Sequence, residues 1–407
     1  MNIWLLQGSE PKPIVNNGER LFRMGMIAEE LNRRNHHIIW FTSTFDHFRK
    51  KQLSKKNKII NVKGNYYIYL LHAKGYKKNI SISRIINHKV IALKFMKVSK
   101  KMDKPDLIYA SFPTIDFAEA AIKYGKKHNV PVIVDIRDLW PDIFKHNLKG
   151  IKQKVVTPYI KLLDYKTKKI MANAYAINSI SDAMLNWGLE KGKRQKSIID
   201  KYFFIGYDKT ESPKIENKDI ININKFNISF FATINNQFDY DRIIELAKLL
   251  DKKDKDIVIN ICGDGPQFKT LKEKCKDINN INLLGWTNRN TLSYILDNSK
   301  IGFAPYKDTF DFQMSVSNKF AEYISYGLPV IITSGGYMKE LLKNNNCGFS
   351  THNMNKMCNY IIDLKNNNYK YKEVSQNATN LYNREFIARD IYYNLVDYLE
   401  NIIKENV

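Results

Sequence analysis

One pattern governs this chain and occurs twice. A short, nearly continuous apolar run is followed by a turn and then by an amphipathic helix. In the N-terminal half the runs are NIWLLQ, HIIWFTS, YYIYLLHA, DLIYAS, VPVIVDIRD and AYAINSIS. The segments LFRMGMIAEELNRR and DFAEAAIKYGKKH between them carry apolar residues at helical spacing. In the C-terminal half the runs are NISFFAT, DIVINICGDGP, INLLGW, KIGFAPY and LPVIITS, with helices expected from Asp239 to Leu250 and from about Phe268. Strands without polar alternation must be buried on both faces, so the pattern predicts parallel sheets covered by helices. The predicted fold class is α/β, with two doubly wound Rossmann-like domains. The polar stretch YDKTESPKIENKDIININK, residues 207 to 225, reads as the linker and the opening of the second domain. The expected division is residues 1–206, then 207–383, then a terminal helical run, 384–407, that packs back across the domains.

Composition sets the outer limits. A length of 407 residues suits two domains, and 44% hydrophobic residues supply two cores, which excludes a disordered chain. The four cysteines (Cys262, Cys275, Cys347 and Cys358) have no metal-ligand spacing, so neither zinc nor a disulfide framework is expected and a cytoplasmic setting fits. The opening MNIWLLQGSEP lacks the basic and small-residue features of a signal peptide. The formal net charge of +24 suits nucleic acid, an anionic membrane surface or phosphorylated ligands. It equally suits the Lys, Asn and Ile bias of an AT-rich coding sequence. No nucleic-acid-binding motif accompanies the charge, so no nucleic-acid partner is expected.

The candidate chemistry lies at the carboxyl ends of strands, where doubly wound sheets bind ligands. In SVSNKFAEYISYGLPVII, a helix opens through Ser315 and Ser317 and stops at Gly327. Asn318 and Glu322 share one of its faces, and its free N–H groups and dipole suit a phosphate. Lys319 adds a positive charge, and Glu322 stands where a carboxylate accepts two ribose hydroxyls. The alternatives for Glu322 are a solvated face or an ion pair with Lys319. The stretch APYKDTFDFQMSVSNK reads as a long loop delivering this helix. CGDGP supplies Gly263, Asp264 and Gly265, either as a close backbone approach to a ligand or as a tight turn with Asp264 as a cap. Trp286 in GWTNRNTL either shelters a base or packs beneath its loop. VDIRDLWPDIF ends a strand in Asp135, Arg137, Asp138 and Asp142, a sugar- or phosphate-facing set unless Arg137 and Asp138 pair with each other. NNGERL offers Gly18, Glu19 and Arg20 as a phosphate or acceptor loop, or simply as a helix cap.

Together, the Gly-containing first loop, VDIRDLWPD, CGDGP, LLGW, APY and SNKFAEYISYGLPVI resemble glycosyltransferase family 4. The resemblance is to the branch found in bacterial capsule and O-antigen gene clusters, and it extends over nearly the whole chain. It implies the GT-B fold, two Rossmann-like domains facing a central cleft, with the nucleotide-sugar donor on the C-terminal domain and the acceptor on the N-terminal one. It implies a retaining transfer of a hexosyl or N-acetylhexosaminyl group from a donor expected to carry UDP. By resemblance, Glu322 is the second glutamate of the family's Glu-x7-Glu motif and binds the ribose. Ser317, Asn318, Gly263, Asp264, Gly265, Trp286 and Gln237 complete the donor site. Arg137, Asp138 and Lys319 are the expected catalytic contacts.

Two departures stand out. The first motif glutamate is replaced by Met314, and the loop INNQFD lacks the Arg and Lys that hold the diphosphate in the family. Lys319, or Arg242 from the next helix, is expected to supply that charge. No cofactor and no metal are expected; DKD at Asp254 to Asp256 reads as a solvated turn. The acceptor is expected to be a lipid-linked saccharide. YKKNISISRIINHKVIALKFMKVSKKM reads as a basic amphipathic helix, suited either to the inner face of the cytoplasmic membrane or to an ordinary solvated position. A nucleotide-sugar 2-epimerase on the same fold is the alternative activity.

Overall fold

A computed structural model describes residues 1–14, 21–78, 81–147, 151–209 and 218–405. The chain divides into two units, residues 1–203 with 392–407, and residues 204–391.

The strands of the first unit are β1 (Asn2–Leu6), β2 (His37–Ser43), β3 (Phe45–Asp46), β4 (Lys51–Gln52), β5 (Lys58–Lys63), β6 (Tyr66–Leu71), β7 (Leu107–Phe112), β8 (Val132–Ile136), β9 (Ala176–Ser179) and β10 (Lys201–Tyr202). Eight of them form one sheet in the order β10-β9-β8-β7-β1-β2-β6-β5, and β3 pairs with β4 apart from it. The apolar runs become buried parallel strands, with Trp4 packed against Phe41, Phe95 and Tyr124 beneath the flanking helices. One expectation needs correction: β5 is antiparallel to β6. Its sequence KIINVK is largely exposed, and its lysines suit an edge strand that must resist further pairing. Neighbouring strands run outward in both directions from β1 and β7, so the topological switch lies between these two.

The second unit contributes β11 (Phe226–Phe231), β12 (Ile257–Cys262), β13 (Ile281–Gly285), β14 (Ile301–Ala304), β15 (Val330–Ile332) and β16 (Gly348–Ser350). The all-parallel order β13-β12-β11-β14-β15-β16 is the doubly wound order of a dinucleotide-binding fold. Its switch lies between β11 and β14. The loop expected after β14 is also corrected, because it holds a short helix, Phe310–Met314, with the Phe312 ring 4.2 Å from that of Tyr306 and tilted 31° to it.

The final helix, Ala388–Glu405, starts in the second unit and joins the first from Tyr392 onward. There Asp397 and Glu400 ion-pair with Arg34, and Tyr398 donates to the Ile199 carbonyl at 2.7 Å.

Candidate active site

At the switch of the second unit, four strand-end loops hold one another. The Ala232 amide donates to the Cys262 carbonyl at 2.9 Å, and the Ile234 amide donates to the Asp264 carbonyl at 3.0 Å. Gly263 donates to the Gly285 carbonyl at 2.6 Å, and the Lys307 amide donates to the Gln237 carbonyl at 3.1 Å. Gly263 has φ +139°, and a Cβ there would lie 1.8 Å from the Ala232 carbonyl oxygen. Glycine is therefore required for the loops after β11 and β12 to touch. Asp264 accepts from the Gly265 amide at 2.7 Å, which closes the turn. Trp286 is 75% exposed, so the packed alternative for this ring is excluded. Asn288, two residues on, caps the next helix through the Thr291 amide at 2.9 Å.

The helix Asn318–Ser325 begins as its sequence predicts. Ser317 caps it by accepting from the Phe320 amide at 3.3 Å. Its apolar face is fixed by Tyr323, whose ring lies where a side chain on Gly302 would sit, with a Cβ there 2.3 Å from the ring. The Tyr323 hydroxyl donates to the Phe303 carbonyl at 2.9 Å. This anchoring leaves Asn318 exposed, with Lys319 and Glu322 partly buried.

The Lys319 ammonium lies 5.0 Å from the ring centre of Phe238, 5.8 Å from Phe231 and 6.0 Å from Tyr306. Among the described residues it makes no hydrogen bond and no ion pair, which excludes the Glu322 ion pair. Burial pushes its pKa down to about 8, against a smaller upward pull from Glu322. The rings shelter the cation by cation–π attraction but give it no counter-charge. Glu322 faces Tyr207 and Tyr326 as well; burial and then its carboxylate raise the Tyr207 pKa, while Tyr326 is raised chiefly by burial, with smaller contributions from Asp297 and Glu322. Arg242, the other expected cation, is engaged: Nε pairs with Asp239 at 3.1 Å and Nη1 donates to the His352 carbonyl. Met314 ends the short helix before this site. The charges of Asp254 and Asp256 are met by Lys365 and Lys225.

The first unit treats its strand-end charges differently. Asp135 is fully buried and receives Arg23 through two nitrogens, each at 3.0 Å. Arg137 Nε donates to Asp135 at 2.6 Å, and its Nη1 pairs with Glu10. Arg137 therefore does not pair with Asp138, whose Oδ1 accepts from the Leu139 amide at 3.0 Å. Asp142 accepts from Trp187 at 2.9 Å and pairs with Lys191. Gly18, Glu19 and Arg20 lie outside the described residues.

The structure thus groups Gln237, Gly263, Asp264, Gly265, Trp286, Ser317, Asn318, Lys319 and Glu322 around one switch point, and sets Arg137 and Asp138 in the other unit. The sheltering residues Phe231, Phe238, Tyr306 and Tyr207 escaped the sequence reading. Only the apolar character of FFAT and APY hinted at them.

The family model described as Glycosyl transferases group 1 matches residues 211–381. HepE from Anabaena, solved in complex with UDP, aligns with a TM-score of 0.65 at 14% identity, over 98% of this chain and 100% of that one. Sucrose-phosphate synthase from Thermosynechococcus elongatus aligns at 0.71 and 12% identity, over 99% of each chain. WaaG, a glycosyltransferase involved in lipopolysaccharide biosynthesis, aligns at 0.60 and 13% identity, over 97% of this chain and 98% of that one. Comparison with curated proteins finds no match. The fold is GT-B, and the chain is a glycosyltransferase. More particularly, its second unit carries the group 1 glycosyltransferase domain.

Proposed function

We propose that this enzyme transfers a sugar from a UDP-linked donor to a lipid-linked saccharide, with retention of anomeric configuration, in cell-surface polysaccharide synthesis of the capsule or O-antigen kind. The observation that carries the donor half is the Lys319 ammonium, which among the described residues has no ion-pair partner, one turn from Glu322 at the β11–β14 switch. A nucleoside diphosphate supplies what this site lacks. Its ribose hydroxyls donate to Glu322, and its phosphates meet Lys319 and the amides opening the helix. When the bond from the sugar's anomeric carbon to the diphosphate breaks, negative charge grows on the leaving oxygen, and this preplaced cation stabilises it. The acceptor oxygen bonds to the same carbon from the same face, and its proton passes to the departing diphosphate oxygen. The exposed Trp286 ring offers the base a flat surface, and UDP bound to HepE supports the choice of nucleotide.

The acceptor half rests on the first unit. The helix Ile82–Val98 exposes Ile82, Ile86 and Leu93 along one stripe with Lys89 and Lys97. Such a stripe suits peripheral attachment to an anionic membrane. Among the described residues no helix is long and apolar enough to cross one.

The test is incubation with UDP-sugars, with and without a lipid-linked saccharide. A product with unchanged anomeric configuration by NMR, formed only with acceptor, is expected. Conversion of the donor alone into a second nucleotide sugar would instead identify an epimerase.

A further inference from the structure

The first unit carries a cavity that the donor site does not use. It measures about 530 Å³ and lies between the helices Ile82–Val98 and Ile151–Asn173, beside the segments that follow β7 and β8. Its walls follow from helical spacing. Ile82, Ile85 and His88 share one face of the first helix, and Val156, Ile160 and Leu163 share one face of the second. The described lining is predominantly apolar, and the size falls in the range of small-ligand sites.

Two polar rings interrupt the apolar wall. His88 is only 9% exposed and lines the cavity from the first helix, and the half-buried Tyr159 lines it from the second. Among the described residues neither side chain makes a hydrogen bond. A polar group hidden from water without a partner is costly, and native proteins rarely leave one so. The imidazole is uncharged, because burial first, and then Arg84 and His47, push its pKa down to about 3. It therefore offers one donor and one acceptor, as the Tyr159 hydroxyl does.

The charged groups of the wall are already engaged. Asp116 pairs with Lys166 at 2.6 Å, and the Arg84 guanidinium lies 5.1 Å from the Trp140 ring centre and 5.7 Å from that of Tyr76. Neither is free to meet an ionic head group. Ile82, 76% exposed, belongs both to the lining and to the exposed stripe with Ile86 and Leu93, so the cavity reaches the helix face that suits a membrane.

We propose that this cavity binds one hydrocarbon chain bearing an uncharged hydroxyl, with the chain against the aliphatic wall and the hydroxyl hydrogen-bonded by His88 and Tyr159. Burying the chain removes apolar surface from water, and the hydroxyl, both donor and acceptor, completes the two rings. Neither half explains the other. A plain hydrocarbon leaves His88 without a partner, and a water molecule leaves the apolar wall bare. The inference goes beyond the donor and acceptor readings, since neither uses His88 or Tyr159. A monoacylglycerol in a membrane and a free long-chain alcohol both present this chemistry.

The test is calorimetric titration of the full chain with 1-decanol, beside decanoate, decyltrimethylammonium and glycerol. 1-Decanol is expected to bind at least about tenfold more tightly than either ion, and glycerol not to bind. His88→Leu and Tyr159→Phe should each weaken 1-decanol about three- to tenfold, the range of one neutral hydrogen bond. Val156→Trp, which fills the cavity, should abolish binding. Thermal unfolding separates this role from a structural one. His88→Leu should unfold at or above the parent's midpoint, because it removes a buried polar group that lacks a partner, whereas loss of a merely structural histidine would lower it. Flotation with phosphatidylcholine vesicles, with and without monolaurin, distinguishes the sources. A membrane source predicts that monolaurin raises vesicle binding of the parent and not of Val156→Trp; 1-decanol binding without that rise assigns a free alcohol. Absence of 1-decanol binding would overturn the proposal. So would an ion that binds as tightly, polar-ring variants that bind 1-decanol like the parent, or Val156→Trp that still binds it.

Discussion

The two switch points have the same topology and opposite electrostatics. Near the first unit's switch, at the ends of β1 and β8, Glu10, Arg137, Asp135 and Arg23 alternate in sign and pair with one another in near-complete burial, with only Arg137 Nη2 left without a partner among the described residues. Beyond β11 and β14, Lys319 is held by three rings and, among the described residues, forms no ion pair. A buried charge that is paired within the protein serves to fix loops. A charge that is sheltered but unpaired is complete only when something else arrives. The contrast also explains why charge at a strand end is ambiguous in a sequence. VDIRD and SNKFAE each place ionised groups beside an apolar run, and only the fold reveals which group has been answered from a distant segment.

The contrast can be broken most severely at Asp135. Asp135→Ala strands two buried guanidiniums, and removing one partner of such a pair costs about 3–5 kcal/mol. Urea unfolding should show a loss of that size; a loss below about 1 kcal/mol would mean the network is dispensable. At the other switch the pattern should reverse. Lys319→Met should change stability by less than about 1 kcal/mol, because it removes an uncompensated charge, yet lose roughly 1.5–3 kcal/mol of UDP binding, the range of a charge-assisted hydrogen bond. Tandem urea and calorimetric measurements would separate the two effects.

Glu322→Gln should weaken UDP about tenfold while affecting a 2′,3′-dideoxy analogue far less, since the carboxylate's contribution passes through the ribose hydroxyls. Equal losses for both ligands would remove the ribose role.

The smallest effect concerns pH. Folding lowers the Lys319 pKa to about 8, below its unfolded value, so between these values the unfolded chain binds the extra proton. Stability from this group therefore rises with pH through that window and is lost as pH falls through it. UDP affinity should move oppositely. It needs the charged ammonium, and so should fall as pH rises past about 8 in the parent and stay level in Lys319→Met. Titrations at pH 7, 8 and 9 would show whether the two slopes differ.

Much of the frame was legible in the residues themselves. Continuous apolar runs can be satisfied only by covered parallel strands, so the two doubly wound sheets followed from VPVIVDI and DIVINIC directly. The start of the helix at Asn318, its Ser317 cap and the exposure of one polar face were equally local. What depends on distant chain segments was hidden. The long helix Ile151–Asn173 carries no clear apolar stripe between its lysines, and although the lysines of β5 mark an edge strand, nothing in KIINVK sets its antiparallel direction. Arg137 looked available because its partner Glu10 lies 127 residues away. Lys319 was legible as a donor-site cation, but its shelter was not, because the enclosing rings come from the last residue of β11 and the segments that follow β11 and β14.

The most direct measurement is a crystal structure with UDP bound. The account predicts the Lys319 ammonium within about 3.2 Å of a diphosphate oxygen and both Glu322 oxygens on the ribose hydroxyls. A nucleotide bound elsewhere, with Lys319 still enclosed by Phe231, Phe238 and Tyr306 and no phosphate beside it, would contradict it.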